Sequence, residues 1–246
     1  MLFLTSPLLE VPHGFTLRTG GVSEGPLASL NLSSAEGDSA AHVEENLRRL
    51  SLAAGRSPAQ LALLHQVHGD RVVRALAGAR ESADALWTDE PGGLWLGVKS
   101  ADCVPVLLSS ADGRRVAAVH SGWRGTALRV AAKAVEVLSG QGERGSTLRA
   151  AVGPCIQACC YEVGPELAQR FLADFGPEVV REGGRRPHLS LSAAVRATLL
   201  SAGLLPEWVD VQTACTACEP ERFYSHRREG GRTGRHLAFI APAPLS

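Results

Sequence analysis

Residues 101–126, ADCVPVLLSSADGRRVAAVHSGWRGT, place a cysteine at the start of one apolar run and a histidine at the end of the next. Side chains of these types act as nucleophile and base, as metal ligands, or as plain core packing, and free cysteine is among the most buried residue types. The company of Cys103 and His120 favours a site. Gly122 and Gly125 permit close backbone approach, and Arg124 offers a planar fork to an anion. The segment also turns from a strand end into an amphipathic helix, where ligands and anions tend to sit. Upstream, LLHQVHGDRVV sets His68 before a Gly-Asp turn at the mouth of a strand. His65 is either a second ligand or packing for the preceding segment. Two imidazoles and a thiolate favour Zn²⁺ over magnesium or calcium, with a fourth position open for water or substrate. The separations, 35 residues from Cys103 back to His68 and 17 forward to His120, match no compact local metal motif.

A rival metal site is CTAC, residues 215–218. One CxxC pair is a weak signal, because a structural zinc site needs a second pair. CIQACC at 155–160 could supply it as an all-thiolate site, although Tyr161, Glu162 and Val163 beside it argue for a cavity wall instead. The glycine-rich stretches add arginines. TLRTGGVSEGPLASLNLS carries Arg18 and Asn31, and ERFYSHRREGGRTGRHLAFI carries Arg227, Arg228, Arg232 and Arg235. With Arg124 these are candidates for an anion pocket, phosphate being the natural occupant.

The elements that must position these groups are short. FTLRT, RVVRAL, LWLGVKS, VPVLLSS, RVAAVHS, LRAAVGP, VDVQTA and HLAFIA read as strands, with Pro105 expected to interrupt any continuous central strand. Helical periodicity runs through 40–55, with Asp38 or Ser39 as N-cap and Gly55 closing it, and again through 126–140, 165–176 and 192–203. Strands and helices do not alternate strictly. The expectation is therefore an α+β fold: a single domain over 1–246, a layered sandwich of mixed β-sheets covered by helices.

Composition narrows the function classes. Acidic and basic residues balance at 25 each, so no net field invites nucleic acid or an anionic membrane. Lys99 and Lys133 are the only lysines, which leaves little scope for Schiff-base chemistry and much for arginine-bound phosphate or carboxylate. No apolar run reaches the roughly 20 residues of a membrane span, and the N-terminal stretch lacks a basic leader region. A cytoplasmic location with reduced cysteines is the expectation. Nothing in the sequence specifies an oligomeric state.

Taken in order, TLRTGGVSEGPLASLNLS, QVHGDRVV, DALWTDEPGGLWLGVKSADCVPVLL, AAVHSGWRGT, GPCIQACCYEVG and CTACEPERFYSHRREGGRTGR resemble the laccase-domain family. Its members are named multicopper polyphenol oxidoreductases and also described as purine nucleoside phosphorylases. The resemblance spans the chain nearly end to end. It implies one catalytic zinc held by His68, Cys103 and His120, leaves His65 outside the set, and reduces CTAC to a family feature without an assigned role. It further implies phosphorolysis of adenosine, inosine and methylthioadenosine, with deamination of adenosine as a second activity. In deamination, zinc would acidify a water for attack on C6 of the purine. Arg18 and Arg124 are then phosphate candidates, with Arg227 and Asn31 beside them, and Asp102 is a candidate acid–base partner to Cys103 in catalysis. Copper is disfavoured, because a multicopper oxidase needs many histidines and this chain has eight. Ser225-His226-Arg227 departs from the family pattern, in which an aromatic residue is expected at His226. The alternatives are a metal-free Cys–His hydrolase or deamidase, an editing hydrolase for peptidoglycan precursors, and a non-catalytic binding protein.

Overall fold

The computed structural model describes residues 1–90, 93–141 and 144–244. Pro91 and Gly92 of the DALWTDEPGG stretch therefore lie outside the described residues. The N-terminal part holds β1 (Phe3–Leu4), β2 (His13–Thr16), α1 (Ala40–Ala54), β3 (Leu61–Leu63) and β4 (Val72–Arg74). Next come β5 (Ala85–Thr88), β6 (Trp95–Ser100), β7 (Val104–Ser109) and β8 (Val116–Ser121), followed by α2 (Trp123–Ala127) and α3 (Val130–Gly140). The remainder is β9 (Arg149–Val152), α4 (Pro165–Phe175), β10 (Val180–Arg181), β11 (His188–Leu189), α5 (Leu191–Ser201), β12 (Val209–Val211) and β13 (His236–Ile240).

Two mixed sheets stack face to face. One has the order β1-β2-β13-β6-β3, with β3 and β6 parallel and the other neighbours antiparallel. The other runs β12-β9-β7-β8-β5-β4, parallel at both edges and antiparallel through the middle. Between the sheets, Phe15, Leu96, Val98 and Ile240 meet Leu86, Leu107, Val116 and Ala118. Strand alternation sends Val104, Val106 and Leu108 to the opposite face, under α3, α4 and α5. Leu47 and Leu50 of α1 cover Trp95, Leu237 and Phe239 on the outer face of the first sheet. Each buried large apolar side chain contributes about 1.5–3 kcal/mol. The result is the expected α+β sandwich of mixed sheets, helices outside. No helix among the described residues is long and apolar enough to cross a membrane.

Two local expectations are corrected. The helix read over 126–140 is two helices, because Arg129 adopts the left-handed region at φ 58° and breaks the axis. Pro105 does not interrupt β7, a central strand. Pairing with β9 begins only at Val106, and the Pro105 carbonyl accepts from Gly153 N–H at 2.9 Å. The missing N–H falls past the end of that ladder, where it costs nothing.

Candidate metal centre

Three different pieces of chain deliver the three donors. Cys103 ends the short turn between β6 and β7, and His120 lies one residue before the end of β8. In the antiparallel β7–β8 pair Val104 faces Ser121 and Pro105 faces His120. The start of one strand and the end of the next therefore meet at one sheet margin. His68 comes from the β3–β4 loop and is held at φ 58°. Asp102 is also left-handed, at φ 92°. Such conformations cost a non-glycine residue about 1–3 kcal/mol and persist only where surrounding contacts impose them.

For His68 the imposing group is Asp84. Its buried carboxylate accepts the backbone N–H groups of Val67, His68 and Gly69 at 3.1, 3.0 and 2.6 Å. It also accepts from His120 Nδ1 at 2.8 Å, while the Asp84 carbonyl accepts His120 N–H at 2.7 Å. One aspartate thus shapes the QVHG loop and fixes the imidazole of His120. Its own pKa is lowered: burial opposes ionisation, but the His120 and backbone hydrogen bonds outweigh it.

The donor atoms of His68, Cys103 and His120 all lie within 4.8 Å of one another. Cys103 Sγ is 4.0 Å from His68 Nε2, and the two imidazole rings meet edge to face at 4.9 Å. Because Nδ1 of His120 is committed to Asp84, its Nε2 is the free donor, the carboxylate–histidine arrangement that orients metal ligands. Gly122 completes the cradle. A Cβ there would stand 3.0 Å from His68 Cδ2 and 3.1 Å from Cys103 Sγ, pressing on two donors at once. Burial alone would raise the Cys103 thiol and depress His120. Facing one another they do the reverse: the His120 charge and the imidazole hydrogen bonds bring Cys103 to about 6, while Cys103 and Asp84 bring His120 up to about 9.

These donors form the floor of a cavity of about 560 Å³. Trp123, Tyr161, Ile156 and Leu191 give it an apolar and aromatic wall, as expected for Tyr161. Lys99, Arg227 and Arg235 bring positive charge, and Asp102, His65 and His226 also face it. Lys99 is half-buried, its ammonium without an acceptor among the described residues. Burial lowers its pKa, and the charges of Arg80 and Arg235 lower it further against Glu36. Arg227 donates to the Glu162 carbonyl at 2.8 Å and lies 4.9 Å over the Tyr161 ring, and Arg235 pairs with Glu36 at 2.7 Å. Asp102 accepts Thr216 Oγ1 at 2.6 Å and Arg227 N–H at 2.7 Å, fastening both loops to the turn that carries Cys103.

Three expected phosphate residues are placed elsewhere. Arg18 does not line the cavity; it donates to the carbonyls of Ala28 and Pro220, pairs with Glu229 at 3.1 Å, and stacks 4.6 Å over Tyr224. Asn31 is buried and joins Ser33, Asp38 and Arg235 N–H. Both hold loops rather than face the cavity. Arg124 is exposed, 5.0 Å over the Trp123 ring, and it too is absent from the lining. Sequence reasoning missed Asp84 and Lys99. A lone aspartate before the apolar run ALW and one of only two lysines at a strand end were the available signals.

A model of the family described as multi-copper polyphenol oxidoreductase laccase matches residues 12–243. The chain belongs to this family. Within the laccase family, it is 43% identical to the purine nucleoside phosphorylase of Deinococcus radiodurans, over 96% of this chain and 91% of that one. It is 37% identical to the purine nucleoside phosphorylase YfiH of Escherichia coli, over 91% and 90%. The crystal structure of YlmD from Geobacillus stearothermophilus superposes with a TM-score of 0.91 at 32% identity, covering 98% of this chain and 99% of that one. The shared fold places the sandwich and its strand margin in a known laccase-family architecture.

Proposed function

We propose that this chain is a zinc-dependent purine nucleoside phosphorylase acting above His68, Cys103 and His120. The observation that carries the reading is a His–Cys–His set, oriented by Asp84, on the floor of a cavity with aromatic walls and an unpaired cation. The relatives' names supply the reaction class. The donor set fits Zn²⁺: two imidazoles and a thiolate, from His68, His120 and Cys103, would hold it. When bound, Zn²⁺ supplies a Lewis acid with one open position. A four-copper oxidase does not fit, since the clustered donors among the described residues are only this set and a group of four cysteines.

In phosphorolysis a phosphate oxygen bonds to C1′ of the ribose as the C1′–N9 bond breaks. The bonding pair leaves on the purine, which takes a proton, and ribose 1-phosphate remains. Trp123 and Tyr161 offer flat apolar surface for the base. Lys99, crowded by Arg235 and Arg80, is relieved by a phosphate dianion, with Arg227 at the cavity edge. Asp102 serves as a positioning residue, joining the Arg227 and Thr216 loops to the Cys103 turn. Adenosine, inosine and methylthioadenosine are the proposed substrates. Hydrolytic deamination of adenosine, with water added at C6 and ammonia released, is the proposed second activity.

His68→Ala, Cys103→Ala and His120→Ala are each expected to lose zinc and about 10²–10⁴-fold in turnover while remaining folded, the worth of removing one catalytic group. Product analysis of adenosine with and without phosphate reads adenine against inosine; a Cys103→Ala chain with full turnover defeats the proposal. Lys99→Met is expected to raise the KM for phosphate about 10–100-fold, the loss of about 1.5–3 kcal/mol for a hydrogen bond to a charged group. The nucleoside KM should hardly move, and an unchanged phosphate KM would remove Lys99 from the role.

One observation favours a second reading. The pairing that lowers Cys103 and raises His120 also suits a thiolate nucleophile beside an imidazolium in a metal-free hydrolase. Activity that survives chelation and dies on alkylation of Cys103 selects that reading.

A further inference from the structure

Behind the cavity wall stands a group of donors that no step above uses. Cys159, Cys160, Cys215 and Cys218 bring their sulfurs within 4.8 Å of one another. Cys218 Sγ is 3.5 Å from Cys159 Sγ and 3.3 Å from Cys160 Sγ. A disulfide needs about 2.05 Å, and all four thiols are free. Four sulfurs at about 2.3 Å from one tetrahedral Zn²⁺ stand about 3.8 Å apart. The sulfurs are thus spaced for a shared cation rather than for a bond to each other.

The backbone around them is already tied together. Cys155 and Cys215 form a parallel bridge, and Thr216 N–H donates to the Cys155 carbonyl at 3.1 Å. Gln157 N–H donates to Cys215 Sγ at 3.4 Å, and Cys218 N–H donates to the Cys215 carbonyl at 3.1 Å. Such an N–H···S contact stabilises a thiolate ligand. An all-sulfur donor set selects soft or borderline cations and excludes magnesium and calcium.

We propose that Cys159, Cys160, Cys215 and Cys218 form a second, structural metal site that holds one Zn²⁺ as a tetrathiolate. The site lies beyond the nucleoside chemistry and does not depend on it. Binding releases four thiol protons to solvent and changes no oxidation state. The complex carries a net double negative charge, and the Arg228 guanidinium lies beside it, donating to the carbonyls of Thr216 and Ala217 at 2.6 and 3.2 Å. Its position gives it a task. Thr216, between two of the cysteines, donates to Asp102 Oδ1, and Ile156 N–H donates to the Asp102 carbonyl at 3.0 Å. Tyr161 of the cavity wall follows Cys160 directly. A cation here clamps both halves of that wall onto the turn that carries Cys103.

The test uses the full chain carrying His68→Ala and His120→Ala, which empties the first site and makes the readout independent of nucleoside turnover. Loaded with Zn²⁺ under reducing conditions and desalted, it should retain one zinc per chain. Loaded with Co²⁺, it should show the intense near-ultraviolet charge-transfer band of a tetrathiolate. Adding Cys215→Ser and Cys218→Ser should abolish retention and lower Tm. Should that chain fail to fold, Cys159→Ser alone, at an exposed position, should weaken the Co²⁺ band by the share of one thiolate. No retained zinc, retention unchanged by the serine substitutions, iron or copper in its place, or a chain lighter by two hydrogens with a Cys160–Cys218 disulfide each overturn the assignment.

Discussion

Replacing Asp84 with alanine is expected to empty the His68–Cys103–His120 centre and to destabilise the chain by about 3–5 kcal/mol, the cost of breaking a buried charged network. The carboxylate serves four donors at once, three backbone N–H groups and the Nδ1–H of His120. Truncation leaves all four donors without that acceptor, at about 1–3 kcal/mol for the buried His120 Nδ1–H and less for the loop N–H groups that water can reach. It also removes the group that imposes the left-handed conformation of His68. Asp84→Asn separates the two consequences. It keeps the shape and one oxygen acceptor but turns an NH₂ toward donors, so zinc affinity should fall about 10–100-fold with a smaller loss of stability. Chelator competition and thermal melts read the two effects. An Asp84→Asn chain with native affinity and Tm would show that the aspartate organises neither.

The second large effect is a loss of stability in mild acid that traces to His236. This histidine opens β13, its Nε2 accepts Tyr224 N–H at 2.8 Å, and burial, aided by the Arg18 charge, pushes it down to about 3. Between pH 6.5 and about 3 the unfolded chain binds a proton at this residue that the folded chain refuses. Stability from this group is therefore complete above pH 6.5 and drains away as pH falls, at up to about 1.4 kcal/mol per pH unit. The whole window is worth on the order of 5 kcal/mol. Asp84, with its lowered pKa, adds loss only at more acidic pH. Unfolding free energies at pH 7 and pH 4.5 should differ strongly for the native chain and much less for His236→Gln, which retains an acceptor but does not titrate. Equal slopes for the two chains would sink the assignment. Tyr224 leads into Ser225, His226 and Arg227, so the same protonation should loosen the cavity edge before the fold is lost.

How much of this was legible in the sequence depends on the range of the interaction involved. Helices α1, α4 and α5 were readable because periodicity and caps are local: Gly55 closes α1 at φ 65°, and Pro165 opens α4. The break at Arg129 was not readable, because 126–140 keeps its apolar spacing on both sides of the left-handed residue. Pro105 misled for a related reason. Whether a proline damages a strand depends on which neighbour its absent N–H would have met, and that is a property of the sheet. His68, Cys103 and His120 could be named from residue type and family resemblance, and the structure brings them together. Asp84 and Lys99 escaped notice because an aspartate or lysine in an apolar run declares itself only once its burial and neighbours are known. Arg18 and Asn31 were expected at an anion pocket, and the structure places both among the hydrogen bonds that hold their own loops.

The position of β13 bears on when the metal centre comes into being. It pairs between β2 and β6, from both of which it is far removed along the chain. Its first residue, His236, lies opposite Ser100, just ahead of the turn that carries Cys103. Until β13 inserts, β6 has only β3 beside it and the Cys103 turn lacks its support, however well the helices have formed. Loop closure over such separations is slow. Metal capture should therefore be a late folding event, and zinc uptake during refolding should lag behind the appearance of helix.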